Sequence, residues 1–101
     1  MANRDPEFPG GIDTLVSSIN QRKQYPPEAV QAGITGNVFV SFVVSKTGDV
    51  TNVYALTSLG HGCDEEAVRV VREMPRWIPG KRNDAYVNVN YTIPVSFGMD
   101  D

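Results

Sequence analysis

The chain has one cysteine, Cys63, and one histidine, His61, among its 101 residues. A lone cysteine excludes an intrachain disulfide and leaves the redox compartment open. Lysine and arginine never gather beyond short pairs, and the net charge is -3. The basic stripe that neutralises nucleic-acid phosphates is therefore missing, and no nucleic-acid partner is expected. Long apolar runs are missing too. The longest, Val38 to Val44, is interrupted by Ser41 and falls far short of a bilayer span. Met1 to Phe8 is charged and proline-containing, without the apolar stretch of a signal peptide. These absences fit either a cytosolic protein or a domain excised from a longer one. Met1 to Asp5 reads as an added leader or disordered N-terminus, ahead of one domain over residues 6–101.

Catalytic groupings are scarce as well. Hydrolytic nucleophiles need a positioned base, and the chain offers only His61-Gly62-Cys63. Two ligands do not make a structural zinc site, and loop neighbours before a helix generally point apart. The simpler reading makes His61 a solvated loop residue and Cys63 a small apolar plug at the base of a helix. Gly60 and Gly62 lack the rest of a phosphate-loop or dinucleotide pattern. Asp64, Glu65 and Glu66 are explained by helix capping, with Asp64 as the N-cap. Neither enzyme activity, nor a cofactor, nor a metal is expected.

What the chain does contain is strand pattern. In Tyr86 to Phe97, Val87, Val89, Tyr91, Ile93, Val95 and Phe97 alternate with Asn88, Asn90, Thr92, Pro94 and Ser96, which gives one buried and one wet face. Pro94 has no N–H to donate, so this strand belongs at a sheet edge. An accessible edge can accept an extended peptide as an added strand, which puts binding ahead of catalysis. Asn37 to Ser45 is the most apolar strand, with Val38, Val40, Phe42 and Val44 on one face. Lys46-Thr47-Gly48-Asp49 supplies turn chemistry, and Val50 to Thr57 reads as the return strand.

Helical spacing accounts for the remainder. Ile12, Leu15, Val16 and Ile19 form one apolar face of a helix from Ile12 to Arg22, ended before Tyr25-Pro26-Pro27. Pro27 opens a short turn, Glu28 to Ala32, closed by Gly33. Cys63, Ala67, Val70, Val71 and Met74 form the core face of the next helix, which Pro75 stops. The predicted fold is α+β, ordered helix, strand, strand, helix, strand. Two helices cover one face of a three-stranded antiparallel sheet whose first strand is central, and the second strand, helix and third strand form a split right-handed crossover. Trp77, held between Pro75 and Pro79, reads first as a core plug and second as a ligand-facing ring.

Several motifs then fall in one order: Glu7-Phe8-Pro9-Gly10-Gly11, Tyr25-Pro26 with Ala29, Gly33-Ile34-Thr35-Gly36-Asn37-Val38, Gly48-Asp49-Val50-Thr51-Asn52-Val53, Asp64-Glu65-Glu66-Ala67-Val68-Arg69-Val70-Val71, Met74-Pro75-Arg76-Trp77-Ile78-Pro79-Gly80 and Tyr91-Thr92-Ile93-Pro94-Val95-Ser96-Phe97. Together they resemble the C-terminal domain of the TonB family, in a version similar to those of Bacteroidetes-type bacteria. The resemblance implies a periplasmic domain that grips the Ton box of outer-membrane transporters and couples the inner-membrane proton-motive force to nutrient uptake. It also implies a parent anchored in the inner membrane, working with the proton-channel complex there. Carried over, the peptide contacts fall on Tyr86, Val87, Asn88, Val89, Asn90 and Tyr91, and on Arg22, Gln24, Tyr25 and Pro26. No catalytic residues carry over. A monomer or weak dimer is expected. The same domain is appended to other envelope proteins, such as membrane sensor-peptidases, so an interaction or sensory module is the alternative.

Overall fold

The computed structural model describes residues 3–98. Its first helix, α1, is Ile12–Arg22, entered through Gly11 in a positive-φ conformation and left at Lys23, which is extended. A short helix, α2, spans Pro27–Gln31 with Pro27 in its first turn, and Gly33 at φ 67° closes it as the spacing predicts. Strand β1, Gly36–Val44, pairs antiparallel with β2, Val50–Ala55, across a turn in which Gly48 donates to the Ser45 carbonyl at 2.8 Å. Their register slips between Ser41 and Val43, and Asn52 takes up the extra residue at φ 52°. Helix α3 is Cys63–Arg72. The chain then makes a short hairpin, β3 (Gly80–Arg82) with β4 (Ala85–Val87), before the last strand, β5, Val89–Phe97.

The main sheet has the order β2-β1-β5, so the first strand is central and the last lies at an edge. β1 and β5 pair without interruption from Gly36 with Phe97 to Val44 with Val89. The alternation read from the sequence decides the layers. Val38, Val40, Phe42 and Val44 of β1 and Ile93, Val95 and Phe97 of β5 are buried in one cluster with Leu15, Ile19, Cys63, Ala67, Val70 and Val71. Phe39, Tyr54, Asn90 and Thr92 lie exposed, on the other face. Helices therefore cover one face of the sheet.

Trp77 is 4% exposed and closes one end of this core, with ring centroids 5.5 Å from Phe8, 5.5 Å from Phe42 and 5.2 Å from Tyr91. Its backbone N–H donates to the Gly48 carbonyl at 2.8 Å, and Arg76 pairs with Asp49 at 3.0 Å, so the connector is stitched to the β1–β2 turn. Gly48 sits at φ 88°, and a Cβ there would lie 2.2 Å from the Trp77 carbonyl oxygen. Only glycine fits that contact.

Four expectations need correction. The single strand from Tyr86 to Phe97 is broken at Asn88, because Tyr86 and Val87 pair with β3 while Val89 onward pairs with β1. Asp64 is not the N-cap of α3; Gly62 holds that place at φ 86°, and the Asp64 carboxylate reaches back to the loop, accepting from Ser58 Oγ at 2.7 Å and Leu59 N–H at 2.9 Å. The apolar face of α1 is only half covered: Leu15 and Ile19 are buried, whereas Ile12 is 63% and Val16 52% exposed, because α1 lies toward the β5 edge. Residues 3–5 do not all stand outside the fold, since Arg4 exchanges backbone hydrogen bonds of 2.9 Å with Lys81 and thereby extends the β3–β4 hairpin. Met1 and Ala2 lie outside the described residues.

Candidate functional site

Which backbone groups of β5 face outward follows from one pair. Phe39 lies opposite Pro94, yet Phe39 turns its N–H to Thr57 Oγ1 at 3.0 Å and its carbonyl to Leu56 N–H at 2.7 Å, both on the β2 side. Phe39 and Pro94 are therefore a non-hydrogen-bonded pair. By alternation, Val89, Tyr91, Ile93, Val95 and Phe97 bond to β1, while Asn90, Thr92, Pro94 and Ser96 turn their backbone away from it. Proline at an outward position costs no ladder bond, which is how the edge tolerates it.

Ser96 confirms this phase. Its carbonyl accepts a hydrogen bond from the Lys23 ammonium, which also lies 5.7 Å from the centre of the Phe97 ring. A lysine laid on an edge is a common way of blocking further pairing. Among the described residues, no backbone partner meets the outward groups of Asn90, Thr92 and Pro94. Two N–H donors and three carbonyl acceptors therefore stand in line along the stretch from Asn90 to Pro94.

The same parity continues into the hairpin. Lys81 bonds to Arg4, away from β4, so its partner Tyr86 also turns its backbone outward. Of the residues expected from the resemblance, Tyr86 and Val87 thus lie on the hairpin, Asn88 at the break, and Val89, Asn90 and Tyr91 on the edge strand. Asn88 Oδ1 accepts from Lys46 N–H at 2.8 Å, which ties the break to the β1–β2 turn.

The second expected cluster lies at the other end of β5. Tyr25 donates its hydroxyl to the Ile34 carbonyl and packs 6.1 Å from the Phe97 ring, and Pro26 caps α2. Gln24 N–H donates to Glu66 at 2.6 Å, and Arg22 donates to the Glu73 carbonyl at 3.0 Å. Arg69 completes the clasp by donating to the Arg22 carbonyl at 3.1 Å and to Glu66 and Glu73. These bonds fix the end of α1 against α3. Hydrogen bonding by Arg69 holds the Glu66 carboxyl below its ordinary pKa, against the opposing effect of burial, with Gln24 adding to the lowering. Two grooves flank this arrangement. One, of about 410 Å³, runs between Gln24, Tyr25, Pro26, Glu65, Glu66 and Arg69. The other, of about 440 Å³, lies between α1 and β5.

The sequence reading did not single out Lys23, Thr92, Ile12 or Val16 as site residues. Pro94 held the signal for Thr92, since its own outward phase sets that of every second neighbour. His61 is exposed in a loop and Cys63 is fully buried, so they do not form a joint centre. Among the described residues no three His, Cys, Asp or Glu side chains gather as metal ligands, and no helix is long and apolar enough to cross a membrane.

Comparison with known proteins decides the family. The model described as Gram-negative bacterial TonB protein C-terminal matches residues 21–99. The chain belongs to the TonB C-terminal family. An NMR solution structure of Helicobacter pylori TonB-CTD has the same fold, with a TM-score of 0.65 at 21% identity over 88% of this chain and 94% of that one. No curated protein sequence matches this chain at a significant level. As a TonB-type domain it is a member of a Gram-negative envelope family of interaction modules, not of an enzyme family. In TonB terms, the matched segment includes β1, β2, α3 and β5, and begins near the end of α1.

Proposed function

We propose that this chain is the periplasmic peptide-binding domain of a TonB-like energy transducer, and that it captures the Ton box of outer-membrane transporters by strand addition at β5. In that role it couples the inner-membrane proton-motive force to nutrient uptake, through a parent anchored in the inner membrane beside the proton-channel complex. The observation that supports this most is the row of outward backbone groups at Asn90, Thr92 and Pro94, which have no hydrogen-bond partner among the described residues. An extended peptide satisfies such a row, and main-chain hydrogen bonds supply the affinity. The two clusters expected from family resemblance, 86–91 and 22–26, lie at opposite ends of this one edge, so one bound strand can run between them.

Chemical-shift mapping with a Ton-box peptide tests the proposal. Perturbations along Tyr86 to Thr92 and at Arg22 to Pro26 are expected. A footprint confined to Gly60 to Asp64, or to the outer edge of β2, would reject it.

A further inference from the structure

The edge does not stand alone: on its helix side runs the apolar groove lined by Ile12, Leu15, Val16 and Ile19 of α1 and by Ile93 and Pro94 of β5. Its volume of about 440 Å³ lies within the range of formed ligand sites, roughly 300 to 1,000 Å³. Ile12 and Val16 are more than half exposed, an unusual placement for two members of one apolar stripe. Pro94, which lines the groove together with Ser96, is the last residue of the open row of Asn90, Thr92 and Pro94, to whose outward backbone groups no partner among the described residues is bonded.

A ligand that satisfies both features is narrowly defined. It must present main-chain donors and acceptors at strand spacing, which a helix or a small apolar molecule does not. It must also keep its apolar side chains to one side, because in an added strand alternate residues face the helix layer and the others face the open side of the sheet. There the sheet shows the polar side chains of Asn90 and Thr92, both exposed. Resting on the strand-addition reading above, we infer that the α1–β5 groove is a side-chain pocket that selects peptides with apolar residues at alternate positions and polar residues between them. Ile12 and Val16 are its specificity-determining residues. Because Ile93 and Pro94 line it, the groove lies where the helix-facing side chains of a strand paired beside Pro94 would enter. Lys23, on the Ser96 carbonyl, marks where pairing stops.

The test uses two synthetic peptides of identical composition, one with valines alternating with threonines and one with the valines in a single block, titrated into the domain and into its Val16→Asp and Ile12→Asp variants. Both positions are exposed, so the variants are expected to keep the wild-type fold, which a far-ultraviolet and melting comparison verifies. The alternating peptide is expected to bind about tenfold more tightly than the block peptide, and each variant to lose about tenfold for the alternating peptide alone, the scale of one apolar side chain losing its pocket. Val16→Ala, which keeps the groove apolar, is expected to lose less than Val16→Asp. Equal affinity for both peptides, with shifts at Asn90 and Thr92 and no response to either variant, would overturn the pocket while leaving strand addition intact. Absence of any footprint on Asn90 to Pro94 would overturn both. Concentration-dependent dimerisation abolished by Val16→Asp would assign the groove to a second copy of the chain and likewise overturn the inference.

Discussion

Phe39 and Pro94 face each other across β1 and β5 without exchanging a hydrogen bond, because Phe39 gives both its backbone groups to Leu56 and Thr57 on the β2 side. That relationship sets the phase of the whole edge, since every even-numbered residue from Asn90 to Ser96 turns outward with Pro94.

Proline substitution reads this phase directly. Asn90→Pro removes an outward donor and no ladder bond, so the domain is expected to stay folded with only a small change in melting temperature while strand-adding peptides bind less well. Tyr91→Pro removes a bond to β1 and is expected to unfold the sheet, beyond the loss seen in a Tyr91→Ala control that removes only the ring packed on Trp77. Equal stability of the two proline variants would refute the assigned phase.

Trp77 closes the core, and its indole Nε1 has no hydrogen-bond partner among the described residues. Truncation to alanine is expected to cost about 3 to 5 kcal/mol, a large part of the roughly 5 to 15 kcal/mol that stabilises a small domain. Trp77→Phe forfeits no hydrogen bond and keeps an aromatic body, so its cost is expected to be clearly smaller. Denaturant melts of both variants check the order. A stable Trp77→Ala domain with lost peptide binding would make the ring a ligand contact instead.

How far the sequence alone reaches can be judged at particular residues. Val38, Val40, Phe42 and Val44 alternate so cleanly that strand, burial and central position followed from them, and Pro94 declared the edge. The β3–β4 hairpin did not announce itself, because three-residue strands are too short to show a period. Its signal was Asn83-Asp84, two residues that tolerate the positive φ of a tight turn and adopt it here at 51° and 66°. The stripe on α1 was legible as apolar. Its half exposure was not, because helical spacing tells which residues share a face and not how much of that face the sheet covers.

Cys63 is fully buried, and burial pushes its thiol pKa up, with Asp64, Glu65 and Glu28 acting in the same direction. Slow labelling by a thiol reagent is expected in the native state, rising to the unfolded rate in denaturant. Fast native labelling would contradict the packing.

Acid should weaken the domain in a defined window. Burial works to raise the Asp64 pKa, but the hydrogen bonds from Ser58, Leu59 and Gly60 prevail and hold it below the ordinary value; Glu66 is lowered chiefly by Arg69. Groups depressed in the native state contribute stability above their unfolded pKa values, and that contribution fades as pH falls through the native ones. Stability is therefore expected to hold above about pH 5 and to decline below about pH 4. Asp64→Asn and Glu66→Gln should each flatten that decline in melts run across the acid range. An unchanged acid limb in both would show that other carboxylates govern it.

Amide hydrogen exchange tests the central claim most directly, because it reads the edge one N–H at a time. In the free domain the Asn90 and Thr92 amides are expected to exchange fast, while Tyr91 and Ile93, bonded to β1, exchange slowly. A Ton-box peptide should slow Asn90 and Thr92 and leave their neighbours unchanged. Protection of Asn90 and Thr92 without peptide, or a bound peptide that leaves both unprotected, would contradict strand addition at β5.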